Sequence, residues 1–401
     1  MKLIHTGDWH IGKLLSDKSR IAEQKIVLGE LVQMAEDEEA DAILIAGDIY
    51  DNGNPSAEAE ELFCSTIEQL SKQGQRLVII IAGNHDKPER LEALRPLAKK
   101  LGIVIFGTPV SEIEGGIYGS FEIEVQDHGI FAVQIGEEKA VIACVPYASE
   151  KNLGDVIYQD FATDEENLKS YESKMKTLYQ HCNSFFREDT VNILMSHVFT
   201  LGYEGDHSER STQLGNSYLL DASVFPDKAD YIALGHVHKP QKVQGTTGKA
   251  RYSGSILPYH SDEVKISKQC NLVELHPGDE MSYRPLLFSN PKPIERWDCN
   301  GYQEALSLCE ENKDRECWVF LRIRTGDVIL EDQIRELKHL KKDILEITPI
   351  FPEQEVEAEE ILRQEENVLE MFRRFYKSRN NTDAQEELLT LLQELIGEGE
   401  Q

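Results

Sequence analysis

Short apolar runs recur through the first hundred residues, and three of them lead into a glycine followed by polar side chains. The runs have strand length and are Lys2–His5, Ala42–Ala46, Leu77–Ala82 and Ile103–Phe106. The amphipathic stretches between them have helix length and are Arg20–Glu36, Ala57–Lys72 and Pro88–Lys100. Strands that alternate with helices in this way predict a mostly parallel sheet. The polar residues then lie at the carboxyl ends of the strands, the edge at which open α/β sheets bind ligands.

The pattern changes in the middle of the chain. Between residues 115 and 147, glycines separate short alternating runs, which predict antiparallel strands of a second sheet. Further strands and one helix follow. The expected elements are strands at Ile130–Ile135, Ala140–Val145, Val191–Ser196 and Asp230–Leu234, and a helix near Asn167–Phe186.

After residue 275 the alternation restarts on a smaller scale. Its strands and helices are Ile294–Trp297, Tyr302–Cys309, Cys317–Ile323, Glu331–Leu340 and Ile344–Ile350. This order predicts a separate small α+β domain. From Glu353 on, apolar residues recur at helical spacing, which favours amphipathic helices. We therefore expect three parts, at residues 1–275, 276–352 and 353–401.

The chain is strongly acidic, with 72 Asp and Glu against 42 Lys and Arg and a formal net charge of -30. Such a balance argues against a generally basic, nucleic-acid-binding surface. Part of the excess lies in residues 351–401, which hold 14 acidic and 5 basic side chains and need not touch a substrate. The charge weakens a DNA-binding hypothesis without removing it.

The seven cysteines include no Cys-x-x-Cys pair and therefore indicate neither a disulfide framework nor a zinc knuckle. We expect inert thiols in a reducing cytoplasm. The first apolar run is too short and polar for a signal peptide. No run approaches the roughly 20 apolar residues of a membrane helix.

The polar residues at the strand ends suit a two-metal phosphoesterase. They are Asp8, His10, Asp48, Asn84, His85, His197, His236 and His238. Two metal ions roughly 3.5–4 Å apart promote phosphate ester hydrolysis, and such a pair needs one shared carboxylate. Asp48 suits that position, because a rigid strand end can present one oxygen to each ion. A mixed Asp, Asn and His ligand set favours manganese, iron or zinc, of which we expect manganese.

His85 follows the ligand Asn84 and is better placed to face substrate than to bind metal. It is the candidate catalytic residue, which would stabilise the phosphate or protonate the leaving oxygen. Asp51 and Asp86 either orient ligands or are solvated or helix-capping carboxylates. Each fragment alone has an ordinary explanation, such as turn chemistry for a Gly-Asp pair. The complete ordered set favours a functional site.

The motifs resemble those of the calcineurin-like metallophosphoesterase family. They are Asp8-Trp9-His10, Gly47-Asp48-Ile49-Tyr50-Asp51, Gly83-Asn84-His85-Asp86, His197 and Gly235-His236-Val237-His238. More closely, Met1–Gly12, Pro55-Ser56 and Asp230–His238 resemble the SbcD-type nuclease subunits of bacterial SbcCD complexes. The resemblance implies a two-sheet α/β sandwich flanked by helices, with a small capping domain and a C-terminal helical segment.

The resemblance also implies how the ligands divide between two Mn²⁺ ions. One ion would be held by Asp8, His10, Asp48 and His238. The other would be held by Asp48, Asn84, His197 and His236. His85 would be the catalytic histidine.

The function implied by the resemblance is a manganese-dependent DNA nuclease. It would combine double-strand 3′–5′ exonuclease with hairpin and single-strand endonuclease activity, in DNA repair, recombination and replication. Expected partners are duplex DNA ends and hairpins and an SbcC-type ATPase, with two copies of the chain in a heterotetramer and no membrane. The helices of residues 353–401 would grip the ATPase, although their apolar stripes could equally pack on their own domain.

Two other hypotheses remain open from the sequence. One is a metallophosphatase or phosphodiesterase of the same fold that acts on a small phosphoester. The other is a non-catalytic adaptor with a degenerate site, which the complete ligand set disfavours. Lys13, Lys18 and Arg20 are candidate DNA contacts near the first motif, and are otherwise ordinary surface charges.

Overall fold

The structure, a computed structural model, describes residues 1–149, 153, 171–200, 219–326 and 328–351. The helices predicted from Glu353 on lie outside these ranges, as do the first residues of the helix predicted near Asn167. In the described ranges no helix is both long and apolar enough to cross a membrane.

The strands and helices are numbered here in chain order. The strands are β1 (Lys2–Thr6), β2 (Leu14–Leu15), β3 (Lys18–Ser19), β4 (Ala42–Ala46), β5 (Leu77–Ile81), β6 (Ile103–Phe106), β7 (Gly116–Tyr118), β8 (Phe121–Asp127), β9 (Ile130–Ile135), β10 (Glu138–Val145), β11 (Val191–His197), β12 (Phe199–Thr200), β13 (Leu219–Leu220), β14 (Tyr231–Gly235), β15 (Gln241–Lys242), β16 (Ala250–Tyr252), β17 (Gln269–Glu274), β18 (Ser282–Leu287), β19 (Ile294–Asn300), β20 (Trp318–Arg324) and β21 (Ile344–Ile350). The helices are α1 (Ile21–Asp37), α2 (Ala57–Leu70), α3 (Pro88–Glu92), α4 (Arg95–Ala98), α5 (Tyr171–Phe185), α6 (Tyr302–Glu311) and α7 (Glu331–Leu340).

The first sheet has the strand order β18, β17, β1, β4, β5 and β6. Strands β1, β4, β5 and β6 are parallel, as predicted. At one edge β17 runs antiparallel to β1, and β18 antiparallel to β17. The sheet therefore continues to Leu287, past the expected domain boundary at residue 275.

Alternation along the strands places side chains on both faces of this sheet. In β4, Ile43 and Ile45 pack with residues of α1 and α2, whereas Leu44 points into a core shared with the second sheet. All three side chains are fully buried. Full burial on both faces explains why these strands are continuous apolar runs. Each such side chain contributes about 1.5–3 kcal/mol of burial free energy.

The second sheet has the order β15, β16, β14, β11, β10, β9, β8 and β7. Strands β7 to β10 pair antiparallel, as predicted, and β10, β11, β14 and β16 pair parallel. Ile142 and Ile193 face the first sheet, whereas Val141 and Leu194 pack with residues of α5. The two sheets form a sandwich with helices on its outer faces, so the predicted fold class is confirmed.

The single helix predicted over Pro88–Lys100 is wrong. The structure has two short helices, α3 and α4, separated by two residues and followed by a 3₁₀ turn at Lys99–Leu101. Pro96 lies at the start of α4. Its ring would clash with the carbonyl of Glu92 in a continuous helix, and it has no N–H to donate.

The chain divides into two compact units. The first comprises Met1–Glu295 with Glu316–Trp318, and the second comprises Arg296–Arg315 with the residues from Val319 on. Strands β19, β20 and β21 form a small sheet accompanied by α6 and α7, the α+β pattern expected there. The roles of the predicted capping and partner-binding parts stay predictions.

Candidate metal centre

All eight predicted site residues lie at or directly after the carboxyl ends of five strands. In the first sheet these strands are β1, β4 and β5, and in the second they are β11 and β14. The loops after β1 and β4 are tied together, because the amides of Asp8 and His10 donate to the carbonyls of Gly47 and Asp48 at 3.0 and 2.9 Å. The sandwich therefore brings five segments distant in sequence to one edge.

One group of converging ligand atoms comes from Asp8, His10 and Asp48, whose donor atoms all lie within 4.8 Å of one another. The Nε2 atom of His10 lies 3.6 Å from Oδ2 of Asp48. His238 joins this group, since its Nε2 lies 2.9 Å from Nε2 of His10.

A second group comes from Asp48, His197 and His236, again with donor atoms within 4.8 Å of one another. The Nε2 atom of His197 lies 3.5 Å from Oδ2 of Asp48 and 3.1 Å from Nδ1 of His236. Asn84 joins it through Oδ1, 3.1 Å from the same His197 nitrogen. The two groups share Asp48.

These spacings fit metal coordination. Two ligand atoms that each lie about 2.1 Å from one ion, at right angles, are about 3 Å apart. His197 donates from Nδ1 to the carbonyl of Ala46 at 2.8 Å, so the lone pair of its Nε2 faces the group. Asp8 accepts from the amide of His236 through Oδ1, while Oδ2 is buried without a hydrogen-bond partner among the described residues. An unsatisfied buried carboxylate oxygen suits a cation.

Burial shifts the protonation of these groups. It raises the pKa of Asp8 to about 6, with a smaller contribution from the nearby Asp48 carboxylate. Although burial opposes charge on His197, the Asp48 carboxylate raises the pKa of that imidazole to about 9. Burial keeps the pKa values of His10 and His236 well below the usual range. Cations that bind here would displace protons from Asp8 and His197.

Four of the seven proposed ligands have left-handed backbone conformations. The φ angles are 50° at Asp8, 45° at His10, 49° at Asp48 and 100° at His236. Such conformations are uncommon for residues other than glycine and cost about 1–3 kcal/mol each. The surrounding sandwich therefore holds the ligand loops in shapes that the isolated segments would not adopt.

Three glycines allow the loops to approach so closely. A Cβ atom on Gly235 would lie 1.7 Å from the carbonyl oxygen of Ala46, and one on Gly83 would lie 2.1 Å from Oδ1 of Asp48. A Cβ on Gly47 would lie 2.3 Å from Nδ1 of His197. Turn chemistry was the ordinary alternative considered for a Gly-Asp pair, although a glycine directly before four of the proposed ligands was a usable signal.

His85 is held beside the two donor groups. Its amide donates to Oδ1 of Asp48 at 2.9 Å, and its Nδ1 lies 2.6 Å from the carbonyl oxygen of Asp51. Because a carbonyl only accepts, Nδ1 carries a hydrogen and Nε2 is the nitrogen able to exchange a proton. The ring lies edge-on to that of His10, with centroids 4.7 Å apart.

The two flanking carboxylates have different surroundings. Asp86 is buried and accepts the amides of Gly83, Ile49 and Tyr50 at 2.8, 3.1 and 3.0 Å. It therefore joins the loops after β4 and β5. Asp51 is only partly buried and pairs with Lys13.

Some contacts around the proposed ligands had no sequence signal. Glu263 is fully buried, and its Oε1 lies 3.8 Å from Nδ1 of His238, on the far side of the ring from the donor group. Lys268 pairs with the same carboxylate. The prediction that Arg20 is a DNA contact or an ordinary surface charge was wrong, because this side chain is buried, pairs with Glu23 at 2.5 Å and donates to the carbonyl of Pro258.

Residues 1–240 match the calcineurin-like phosphoesterase family, and residues 290–380 match the type 5 capsule protein repressor C-terminal domain. The SbcD subunit of the SbcCD nuclease from Bacillus subtilis is 36% identical over 398 residues, covering 98% of this chain and 97% of that protein. The chain belongs to the SbcD nuclease subunits of the calcineurin-like phosphoesterase family. A second SbcD, from Rhodobacter capsulatus, is 30% identical over 75% of this chain and 72% of that protein.

Among solved structures, a dimetal phosphatase from Danio rerio aligns with this chain at 13% identity and a TM-score of 0.42, covering 72% of this chain and 97% of that one. The family resemblance predicted from the motifs is confirmed by the sequence matches. The predicted enzyme class, a metal-dependent phosphodiester hydrolase, is confirmed with it.

Proposed function

We propose that this chain hydrolyses phosphodiester bonds of DNA with two Mn²⁺ ions. The observation that carries the proposal is the sharing of Asp48 by two groups of converging donor atoms. A carboxylate that presents an oxygen to each of two ions is what a two-metal site for in-line phosphoryl displacement requires.

The proposed ligands follow from the two groups. Those of one ion are Asp8, His10, Asp48 and His238, and those of the other are Asp48, Asn84, His197 and His236. When bound, such ions activate a water nucleophile and neutralise the charge that develops on the phosphate. The mixed oxygen and imidazole donors are the basis for choosing manganese.

His85 is the proposed catalytic residue. The Asp51 carbonyl accepts the Nδ1 hydrogen at 2.6 Å and so leaves Nε2 as the ring nitrogen that meets the substrate. When Nε2 carries a proton, the ring can stabilise negative charge on the phosphate or give that proton to the leaving oxygen. The hydrogen bond from the His85 amide to Asp48 keeps the ring next to the shared carboxylate.

The substrate and partners are proposed from the relatives, whose name describes a nuclease subunit of SbcCD. Duplex ends and hairpins would be cut by 3′–5′ exonuclease and endonuclease action, in repair, recombination and replication in the cytoplasm. Residues 276–352 would cap the site, and residues 353–401 would bind an SbcC-type ATPase. Two copies of the chain would belong to one heterotetramer.

A cleavage assay tests the proposal. The full-length chain is incubated with linear and hairpin duplexes, labelled at either end, in Mn²⁺ or Mg²⁺, with and without the ATPase subunit and ATP. We expect manganese-dependent shortening from 3′ ends, opening of hairpins, and faster cleavage with the partner. Metal analysis should find two ions per chain.

A matched pair of variants separates the site from general effects. Asp48→Asn should lose metal occupancy and cleavage together, whereas Asp279→Asn, which changes an exposed carboxylate, should retain both. If the wild-type chain cleaves no DNA in any divalent metal but hydrolyses a small phosphoester, it is a phosphatase or phosphodiesterase. If it never takes up two ions, it is a non-catalytic adaptor.

A further inference from the structure

A lysine ammonium lies at the edge of the proposed metal centre. The amide of Lys13 donates to the carbonyl of His10 at 2.9 Å, which turns the chain back toward the site. The Nζ atom lies 3.0 Å from Oδ1 of Asp51. The side chains of this pair are 20% and 28% exposed, so the ammonium is partly shielded from water but still reachable.

Asp51 connects Lys13 to the catalytic machinery. The Asp51 oxygen that accepts from Lys13 also lies 3.9 Å from Nδ1 of His10, and the carbonyl of the same residue accepts from Nδ1 of His85. Asp51 therefore contacts Lys13 on one side and both His10, a proposed ligand, and His85, the proposed catalytic histidine, on the other.

A third group of donor atoms within 4.8 Å of one another comes from His10, Asp51 and His85. Unlike the two groups that share Asp48, this one has an ammonium already placed against its only carboxylate. Lys13 therefore supplies the positive charge at this edge of the site.

The surroundings hold the ammonium close to this position. Its nitrogen lies 5.7 Å from the ring centroid of Tyr259, and that buried ring is fixed by hydrogen bonds with the carbonyl of Trp9 and the side chain of Gln24. An ammonium has three N–H donors, and the bond to Asp51 uses one. Among the described residues the ammonium has no second hydrogen-bond acceptor, so two donors remain there to bind an anion.

We propose that Lys13 binds a backbone phosphate of the substrate strand next to the phosphate that is cleaved, and that Asp51 positions its ammonium. The proposal rests on the proposed DNA substrate and deepens it. In a chain with a net charge of -30, a cation fixed beside the metal centre offsets the repulsion that a polyanionic strand meets there.

The test measures DNA affinity separately from cleavage. Wild-type chain, Lys13→Met, Lys13→Arg and the exposed-surface control Lys25→Met are titrated against a fluorescein-labelled duplex by anisotropy at several NaCl concentrations. We expect Lys13→Met to weaken binding severalfold and to reduce the slope of log affinity against log salt by about one. Lys13→Arg should retain the slope, and Lys25→Met should match the wild type.

Metal content and cleavage complete the design. Lys13→Met should keep two ions per chain and raise KM for DNA more than it lowers kcat. The proposal fails if Lys13→Met has the affinity and salt slope of the wild type, or if its affinity changes no more than that of Lys25→Met. Lys13 would then serve only to pair with Asp51 and stabilise the two loops. Loss of metal from Lys13→Met would also contradict the proposal. A wild-type chain that binds duplex without cleaving it would instead overturn the nuclease proposal alone.

Discussion

His85 donates a hydrogen bond from its Nδ1 to the backbone carbonyl of Asp51 at 2.6 Å. A backbone acceptor cannot be removed by mutation of a side chain and cannot take the proton away. The bond therefore sets which ring nitrogen meets the substrate without changing the charge of the site.

Replacing His85 with alanine should lower kcat for DNA cleavage by about 10²–10⁴-fold, the usual contribution of a positioned general acid. The number of metal ions per chain should stay at two, because the ring is not among the proposed ligands. Steady-state kinetics and elemental analysis of the same preparation check both statements. Full activity of His85→Ala with unchanged metal content would exclude the catalytic role.

Glu263 should increase metal affinity through His238. Its carboxylate lies 3.8 Å from Nδ1 of that ring, and outer partners of this kind typically change metal affinity by about 10–100-fold. Glu263→Gln should weaken binding of the ion that His238 holds, as measured by competition with a metal-sensitive dye.

A double variant controls for stability, because Glu263 also pairs with the buried Lys268. Loss of one partner from a buried ion pair costs about 3–5 kcal/mol. Glu263→Gln combined with Lys268→Met removes both charges, so it should regain much of the unfolding free energy and keep the weakened metal affinity. Recovery of normal affinity in the double variant would mean that Glu263 acts only through stability.

Gly235→Ala should be strongly destabilising. The added Cβ would lie 1.7 Å from the Ala46 carbonyl oxygen and 2.7 Å from Nδ1 of His197, so β14 and β4 would have to separate. Overpacking of this kind costs about 1–3 kcal/mol or more, and we expect reduced metal content as well. The control is Gly29→Ala. The structure places no neighbouring side chain or loop within 4 Å of a Cβ added at Gly29, and this residue lies inside helix α1. Urea unfolding should show Gly29→Ala to be slightly more stable than the wild type.

Acid should destabilise the chain partly through His5. Burial lowers the pKa of this histidine to about 3, although a hydrogen bond with the Leu234 backbone opposes the shift. The unfolded chain binds a proton at His5 below about pH 6.5, whereas the folded chain does so only near pH 3. Stability is therefore lost as the pH falls through this window, by about 2 kcal/mol between pH 6.5 and 5.

His5→Gln tests this contribution, because glutamine can still bond with the hydroxyl of Tyr231, now 2.8 Å from His5 Nδ1, and does not titrate. The measurement is the dependence of the urea midpoint on pH rather than its absolute value. The slope between pH 6.5 and 5 should be shallower in His5→Gln than in the wild type or in His339→Gln, which changes an exposed histidine. Equal slopes would remove His5 from the acid response.

Several features could be predicted because they depend on neighbours in the sequence. Periodicity located the parallel strands and the helices α1 and α2 to within a few residues, since alternation and helical spacing act over short distances. The spacing of Asp8 and His10, and the position of Asn84 after β5, indicated the donor set for the same reason. Pro96 was a local signal of a helix break between α3 and α4. The prediction of one continuous helix over Pro88–Lys100 did not take it into account.

Other features depend on contacts between residues far apart in the chain. The sequence by itself determined the donor types, their order and their strand-end positions. Only the tertiary structure decided that β17 returns to pair with β1, that Arg20 is buried against Pro258, and that Glu263 lies behind His238. The left-handed conformations of Asp8 and Asp48 belong to this second class too. No local pattern specifies such geometry, because its energetic cost is met by packing of the whole sandwich.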